Sequence, residues 1–270
     1  MVKKKKVVLI TGAASGLGKC ISEYLASRDF LVIGTDMNLK RLKGLKNSNI
    51  SIVPLDVTDK NSIREAYQEV NKITNDLDVL VNNAGIFDQI PMVEGGMDRY
   101  ERLINTNVLG AFRVTNTFFP LLNKNKGRII NISSETARTL LPFQSYGLSK
   151  YMMEAWSNTL RMELKLIGIH VSLIRAGGHN TPLLDKTIKV LENIPEDSIY
   201  IDALNKIKEK GGKRVRAVKN DPIDVAQIVL KAITDDFPKR IYSVNESYLY
   251  RFLSKLPGRL KEALIHKSLT

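Results

Sequence analysis

The sequence predicts an α/β fold: a doubly wound parallel sheet with helices on both faces, in one domain over residues 1–270. Three observations lead there. Short apolar, largely β-branched runs alternate with amphipathic stretches along most of the chain. Each run is bounded by turn residues, as expected of strands buried on both faces. A glycine-rich turn joins the first run directly to the first amphipathic stretch, and strand-then-helix repeated in this way builds a parallel sheet.

The elements follow in order. Val7–Ile10 reads as a strand and Leu17–Ser27 as its helix. Leu31–Thr35 and Ile50–Pro54 read as strands, followed by a helix over Lys60–Ile73. Val79–Val81 is the fourth strand, and Met97–Leu122 reads as one long helix. Arg128–Ile132 is the fifth strand, Leu148–Ile167 a helix, and His170–Ile174 the sixth strand. The rhythm breaks over residues 183–218, where helical candidates at Leu184–Glu192 and Asp197–Lys210 precede Gly211-Gly212 and a basic run. A long insertion at this place in an open sheet commonly covers an active site. A helix at Pro222–Thr234, a strand near Arg240–Val244 and a tail over residues 246–270, broken at Pro257-Gly258, close the chain. No linker and no internal repeat divides it.

Composition narrows the function. A chain of 270 residues that is 43% hydrophobic has material for a sizeable core. The single cysteine, Cys20, excludes a disulfide framework and a cysteine-rich metal site, and fits a reducing cytoplasm. His170, His179 and His266 have no ligand spacing, so no metal is expected. The net charge of +13 is spread over Lys3–Lys6, Lys206–Arg216 and Lys239–Lys267. No aromatic residues interleave with the first two clusters, which favours a solvated basic surface over a nucleic-acid platform. Attraction to anionic substrates or lipid headgroups stays open. The apolar run after Lys6 is too short for a signal peptide, and no stretch approaches the ~20 apolar residues of a membrane span.

Chemistry begins at Thr11-Gly12-Ala13-Ala14-Ser15-Gly16-Leu17-Gly18, between the first strand and first helix. Glycines there let the backbone approach a pyrophosphate, and the helix N-terminus stabilises its charge. The spacing T-G-x-x-x-G-x-G resembles the short-chain dehydrogenase/reductase family, and later motifs match it in order as far as Pro182. The resemblance implies a single Rossmann-type sheet, an NAD(P) cofactor and interconversion of a small-molecule alcohol and its carbonyl. It assigns Gly12, Ser15, Gly16, Leu17 and Gly18 to the cofactor. Asp36 ends the second strand, where a carboxylate accepts from both adenosine ribose hydroxyls and repels a 2′-phosphate. No Arg or Lys stands at Ser15 or Met37, so NAD is expected over NADP, with Lys40 and Arg41 close by. Asp36 also fits a helix N-cap. In the family, Asp56-Val57 meets the adenine edge, and Asn83-Ala84-Gly85 packs the turn against the cofactor; Asp56 equally fits a cap.

Ser145-Tyr146-Gly147-Leu148-Ser149-Lys150 places Tyr146 and Lys150 one turn apart on one helix face. A free phenol has a pKa near ~10 and is a poor base at neutral pH. A nearby ammonium and an oxidised nicotinamide ring favour the phenolate, which is why this chemistry wants Tyr-x-x-x-Lys. The resemblance further implies a serine at the end of the fifth strand. Strand alignment favours Ser134, because register sets side-chain direction; counting back from Tyr146 favours Ser133. Asn107 matches the family asparagine that holds a relay water. Gly177 and Thr181 match the loop that meets the nicotinamide carboxamide, with Ala176 in place of a proline, and His179 reads as incidental there.

The tail is apolar with basic residues between, similar to the tails of hydroxysteroid and retinol dehydrogenases, which hints at a lipophilic substrate. It fits a cap over the cleft, a contact with a partner subunit, or weak peripheral membrane contact. Met152, Met153, Trp156 and Leu160, with the helix at Met97–Leu122, fit either core or a homodimer or homotetramer interface. A catalytically silent dinucleotide sensor on the same fold is the alternative function.

Overall fold

Backbone hydrogen bonding dictates that strands buried on both faces pair side by side, and they do. The computed structural model describes residues 4–89 and 91–270; Met1 to Lys3 of the basic N-terminal run lie outside the described residues. Among these residues seven strands form one sheet: β1 (Val7–Thr11), β2 (Leu31–Asp36), β3 (Ile50–Pro54), β4 (Val79–Asn82), β5 (Arg128–Ser134), β6 (His170–Ala176) and β7 (Ile241–Val244). All pairs are parallel and the order is β3-β2-β1-β4-β5-β6-β7. The chain winds outward from β1 to β3, then returns to add β4 on β1's other side. This reversal opens a crevice at the carboxyl ends of β1 and β4.

The strand period of two divides each strand between two cores. Val8 and Ile10 pack with Ile21 and Leu25 of α1 (Gly16–Ala26) and with Val225 and Val229 of α9 (Pro222–Thr234). Val7 and Leu9 pack on the opposite face with Ile63 and Val70 of α3 (Lys60–Ile73). Phe118 of α5 (Gly110–Lys124) and Leu164 of α6 (Ser145–Lys165) complete that layer. The Rossmann-type fold expected from the sequence is therefore present.

Three elements differ from the expectation. The single helix over Met97–Leu122 is α4 (Met97–Ile104), a π-helical turn (Asn105–Leu109) and then α5. Helical periodicity does not reveal one extra residue in a turn, and such turns concentrate at functional sites. A methyl group at Gly110 would lie 2.7 Å from Val57 Cγ2, so α5 starts hard against the end of β3. The second candidate in the insertion, ending at Lys210, is instead α8 (Ile201–Arg216), which runs through Gly211-Gly212. It packs against α7 (Pro182–Glu192), where Arg216 pairs with Glu192 at 2.7 Å. A short α2 (Leu39–Leu42) follows β2, capped by Asn38 rather than Asp36. The tail breaks at Pro257 as expected, into α10 (Tyr248–Leu253) and α11 (Gly258–Leu269). Among the described residues no helix is long and apolar enough to cross a membrane.

A buried amide ladder fixes α5 and α6 on the sheet. Asn82 Nδ2 donates to Thr115 Oγ1 at 3.1 Å and to Asn131 Oδ1 at 2.8 Å. Asn131 Nδ2 donates to Ser157 Oγ at 2.8 Å, which donates to Met153 O at 2.7 Å. Asn131→Ala strands buried polar partners in β4 and α6. It is expected to lower stability by about 1–3 kcal/mol in denaturant unfolding, with the fold retained by far-UV circular dichroism.

Candidate active site

The crevice is built first from backbone. Thr11 Oγ1 accepts the N–H groups of Asn83 and Ala84, both at 3.0 Å. Asn83 Nδ2 returns two bonds, to Thr11 O at 2.9 Å and Gly12 O at 3.2 Å. The ends of β1 and β4 are thereby locked together, and Asn83 acts on the glycine turn from behind. Gly12 and Gly16 have φ of +68° and +53°, which favour glycine. A methyl group at Gly18 would lie 2.1 Å from Gly12 O, so no side chain fits there. Leu17 packs its side chain on the core. Ser15 holds the N-cap position of α1 without a side-chain capping bond, and the first turn carries no acidic residue. The free N–H groups of that turn are open to an anion.

Asp36 reaches back to this turn. Its carboxylate accepts Ala14 N at 3.2 Å and Asn38 N at 2.8 Å, fixing a negative charge at the mouth of the crevice. Asp56 Oδ1 accepts Thr58 N at 2.8 Å and Thr58 Oγ1 at 2.7 Å, while Asp59 is the residue that caps α3. Val57 is buried against α5. On the far wall, a methyl at Gly16 would sit 3.5 Å from Thr181 Cβ, so the glycine turn and the loop after β6 face each other closely. Gly177 is pressed on Asn245 O, where a methyl would lie 2.0 Å away. His179 is buried; its Nδ1 lies 2.9 Å from Gly177 O and its Nε2 3.3 Å from Asn245 Nδ2. Burial holds this imidazole below its ordinary pKa, so it packs the loop as a neutral ring.

Next to the crevice lies the polar cluster. Ser134 is the polar side chain that acts on the Tyr146 phenol. Ser134 Oγ also accepts Thr136 N at 3.2 Å and Thr136 Oγ1 at 3.0 Å. Ser133 points the other way, donating to Glu154 Oε1 at 2.8 Å. Consecutive strand residues face opposite sides, so only one of the two serines reaches Tyr146. Lys150 is buried, donates to Ile132 O at 2.8 Å, and holds its ammonium 5.7 Å from the Tyr146 ring centroid. Burial pushes the phenol well above its usual range, with Ser134 opposing. Burial likewise lowers Lys150 to about 8, opposed by the Glu154 carboxylate.

The π-helical turn supplies Asn107. Its Oδ1 accepts Ile86 N at 2.8 Å, and its Nδ2 donates to Ile86 O and Ser149 Oγ, both at 2.9 Å. A methyl at Gly85 would lie 3.3 Å from Asn107 Oδ1 and 3.7 Å from Lys150 Nζ, so Gly85 leaves room between them. The candidates Gly12 to Gly18, Asn83–Gly85, Asn107, Ser134, Tyr146, Lys150, Gly177 and Thr181 thus surround one crevice. Asp36, Asp56 and Val57 sit at the ends of β2 and β3 beside it.

Other contributors carry no motif. Asp88 O accepts Tyr146 N at 3.2 Å and Ser145 Oγ at 3.0 Å, setting the start of α6; its carboxylate is held by Arg99. Phe87 lies beside Tyr146 with ring centroids 5.1 Å apart and planes tilted by 45°. The tail docks on the loop over 135–144: Arg138 pairs with Glu246 at 3.0 Å, Gln144 Nε2 donates to Tyr250 OH at 2.6 Å, and Ser247 N donates to Glu135. Glu94 accepts Ser198 Oγ and Ile199 N, both at 2.7 Å, tying the insertion to the turn after β4. These partners lie far apart in sequence. The Lys150–Glu154 spacing of one turn is the signal that was available for Glu154.

The crevice fits a dinucleotide: glycines remove side chains where a pyrophosphate would lie, free N–H groups face it, and Asp36 stands beyond. Residues 6–191 match the family model for short chain dehydrogenases. The chain is 34% identical over 204 residues to an NADPH-dependent 1-acyldihydroxyacetone phosphate reductase of Schizosaccharomyces pombe, covering 74% of this chain and 69% of that one. It is 30% identical to human 17-beta-hydroxysteroid dehydrogenase type 6, covering 97% and 88%. A short-chain dehydrogenase from Streptomyces avermitilis superposes with a TM-score of 0.80 at 24% identity, covering 98% and 95%. A Brucella melitensis 3-ketoacyl-(acyl-carrier-protein) reductase complexed with NADH superposes at 0.74 and 21% identity, covering 88% and 96%. The chain belongs to the short-chain dehydrogenase/reductase family and is an oxidoreductase that acts on CH–OH groups with a nicotinamide dinucleotide.

Proposed function

We propose that the protein interconverts a lipophilic secondary alcohol and its ketone, with NAD(H) preferred, through Tyr146, Ser134, Lys150 and Asn107. The observation that carries this reading is the buried Lys150 ammonium, held on Ile132 O one helical turn from Tyr146 and 5.7 Å from its ring centroid, with Ser134 acting on the phenol. A dinucleotide held in the crevice would supply or accept the hydride. In oxidation Tyr146 Oη takes the alcohol proton, and in reduction it returns one to the carbonyl oxygen. Ser134 Oγ orients that oxygen and stabilises charge on it. Burial alone keeps the phenol protonated, so phenolate must be favoured by the Lys150 ammonium and by the positive charge of the oxidised cofactor. Lys150 would also hold the nicotinamide ribose, and Thr181 and Gly177 would hold the carboxamide side. Asn107 props the π-helical turn beside Lys150, where a water would link the lysine to bulk solvent.

Asp36 supports the NAD preference, since its anchored carboxylate repels a 2′-phosphate. The NADPH named for the fission-yeast relative weighs the other way. The lipophilic substrate draws support from the aromatic rings near Tyr146: Phe87 beside it, and Phe143 with Tyr200, 5.1 Å apart, where the insertion meets the loop over 135–144. Relatives named for a hydroxysteroid and an acylated substrate agree with it. The insertion over 183–218 and α10 serve as covers over the substrate side.

The protein is further read as a homo-oligomer. Met153 is buried and Leu160 packs on the core, so those two leave the interface set. Tyr151, Met152 and Met162 stay exposed on α6, and Trp156 stacks on Phe112 with centroids 4.1 Å apart. The second half of the tail, with Leu260 and Leu264 exposed beside basic residues, suits a partner subunit or peripheral contact with an anionic bilayer. The cytoplasm is the expected compartment.

Three outcomes test these readings. Tyr146→Phe is expected to bind NADH, by nicotinamide fluorescence, yet turn over alcohols and ketones at less than ~1% of the wild-type rate. Near-normal turnover would remove Tyr146 from the mechanism, and tight NADH binding with no wild-type turnover across steroid, retinoid and small-ketone panels would favour a dinucleotide sensor. Asp36→Ser is expected to move the NAD/NADP affinity ratio at least about tenfold toward NADP, the size of one repulsive charge at short range; an unchanged ratio would disprove the assignment. Flotation with anionic liposomes at low salt separates bilayer contact from subunit contact, and no binding eliminates the bilayer.

A further inference from the structure

Behind Lys150 lies a buried carboxylate that the mechanism above does not use. Glu154 stands one turn beyond Lys150 on α6, so both side chains leave the same helix face. They are 6% and 3% exposed. Glu154 Oε1 accepts Ser133 Oγ and Arg175 Nε, each at 2.8 Å, and Oε2 accepts Arg175 Nη2 at 2.5 Å. Ser133 and Arg175 face each other in the register of β5 and β6. Ser133 immediately precedes Ser134, and Arg175 precedes the Ala176-Gly177 start of the loop that ends at Thr181. One carboxylate therefore touches the ends of two strands and shares a helix with Lys150. A buried ion pair is a poor source of net stability, because desolvation offsets the attraction. Its specific use is to fix geometry and local charge.

We propose that Glu154 is a positioning residue: it keeps the Lys150 side chain charged and holds the site-bearing ends of β5 and β6 in register with α6. This rests on the reading of Lys150 as the group that binds the cofactor ribose and supports the Tyr146 phenolate. Burial penalises the Lys150 ammonium, and Glu154 is the charge that opposes it. The other charged groups around this corner are committed elsewhere. Arg175 on β6 is a second cation, held by Glu154 and further favoured by Glu246 after β7. Glu246 is paired with Arg138. Glu135, on the turn after β5, accepts Ser247 N. Asp88, on the segment after β4 and beside the start of α6, is paired with Arg99 and Arg102 around α4. Removing the Glu154 charge leaves the burial of the Lys150 ammonium unopposed, so the amine loses its proton at lower pH.

The test is a direct titration of Lys150 in the full-length protein by carbon NMR of labelled lysine side chains, with the resonance identified by its loss in Lys150→Met. The wild-type midpoint is expected at about 8. Glu154→Gln preserves size and one acceptor oxygen while removing the charge and the second acceptor that faces Arg175, and should lower the midpoint by about one unit or more, a tenfold loss of proton affinity. Glu154→Asp should fall between. A purely structural role predicts a lower melting temperature in Glu154→Gln with the Lys150 midpoint unmoved, and that result overturns the proposal. Should Glu154→Gln not fold, Arg175→Gln removes the opposing cation and keeps a donor to Glu154. It should raise the midpoint, and no movement there overturns the proposal equally. Nicotinamide fluorescence on the wild type separates the two readings: a shifted midpoint without NADH binding upholds the Glu154–Lys150 coupling and rejects the dinucleotide reading.

Discussion

The site depends on one close approach, the lock between Thr11 and Asn83-Ala84. Two main-chain N–H groups converge on the Thr11 hydroxyl, and the Asn83 amide returns bonds to the carbonyls of Thr11 and Gly12. The lock joins the two strands between which the winding direction reverses, and so sets the width of the crevice. It works only because the backbone can lie flat there. At Gly18 even a methyl would collide with Gly12 O, and at Gly12 it would meet the Ala84 main chain. Glycine is required here for space as much as for backbone freedom.

From that fixed edge the site is a problem of buried polarity. Lys150 is buried and Tyr146 half-buried, and burial drives both toward their neutral forms. A neutral phenol and a partly neutral amine are a poor pair for moving a proton. The surrounding groups work against that tendency by hydrogen bonding and charge: Ser134 on the phenol, Ile132 O and Glu154 on the amine. In a low-dielectric pocket such terms exceed their strength in water, which is why one misplaced partner matters.

The substrate side is organised differently. The loop over 135–144 has no strand or long helix of its own, and its Phe143 holds a φ of +62°. It is held from outside by the tail, through Glu246, Ser247 and Tyr250, while the insertion is held by Glu94. Few of these bonds lie within one element, so this half of the crevice can be rebuilt without disturbing the sheet. The division between a rigid cofactor wall and an added substrate wall follows from where the backbone bonds go.

The sequence by itself determined whatever rests on local periodicity or short spacing. Strand and helix periods placed seven strands and most helices, the glycine pattern located the turn, and Tyr-x-x-x-Lys put Tyr146 and Lys150 on one face. The alternation of side chains along β5 pointed to Ser134, while counting through the loop pointed to Ser133, because a loop carries no period to count by. Only the tertiary structure decided the rest. It replaced one long helix with α4, a π-helical turn and α5, because α5 must begin against Val57 and turn Asn107 inward toward Ile86 and Ser149. It carried α8 through two glycines because packing on α7 outweighs their weak helix propensity. It joined Ser133, Glu154 and Arg175, three residues from three elements. Such contacts are set by how elements stack, and no short window of sequence contains both partners.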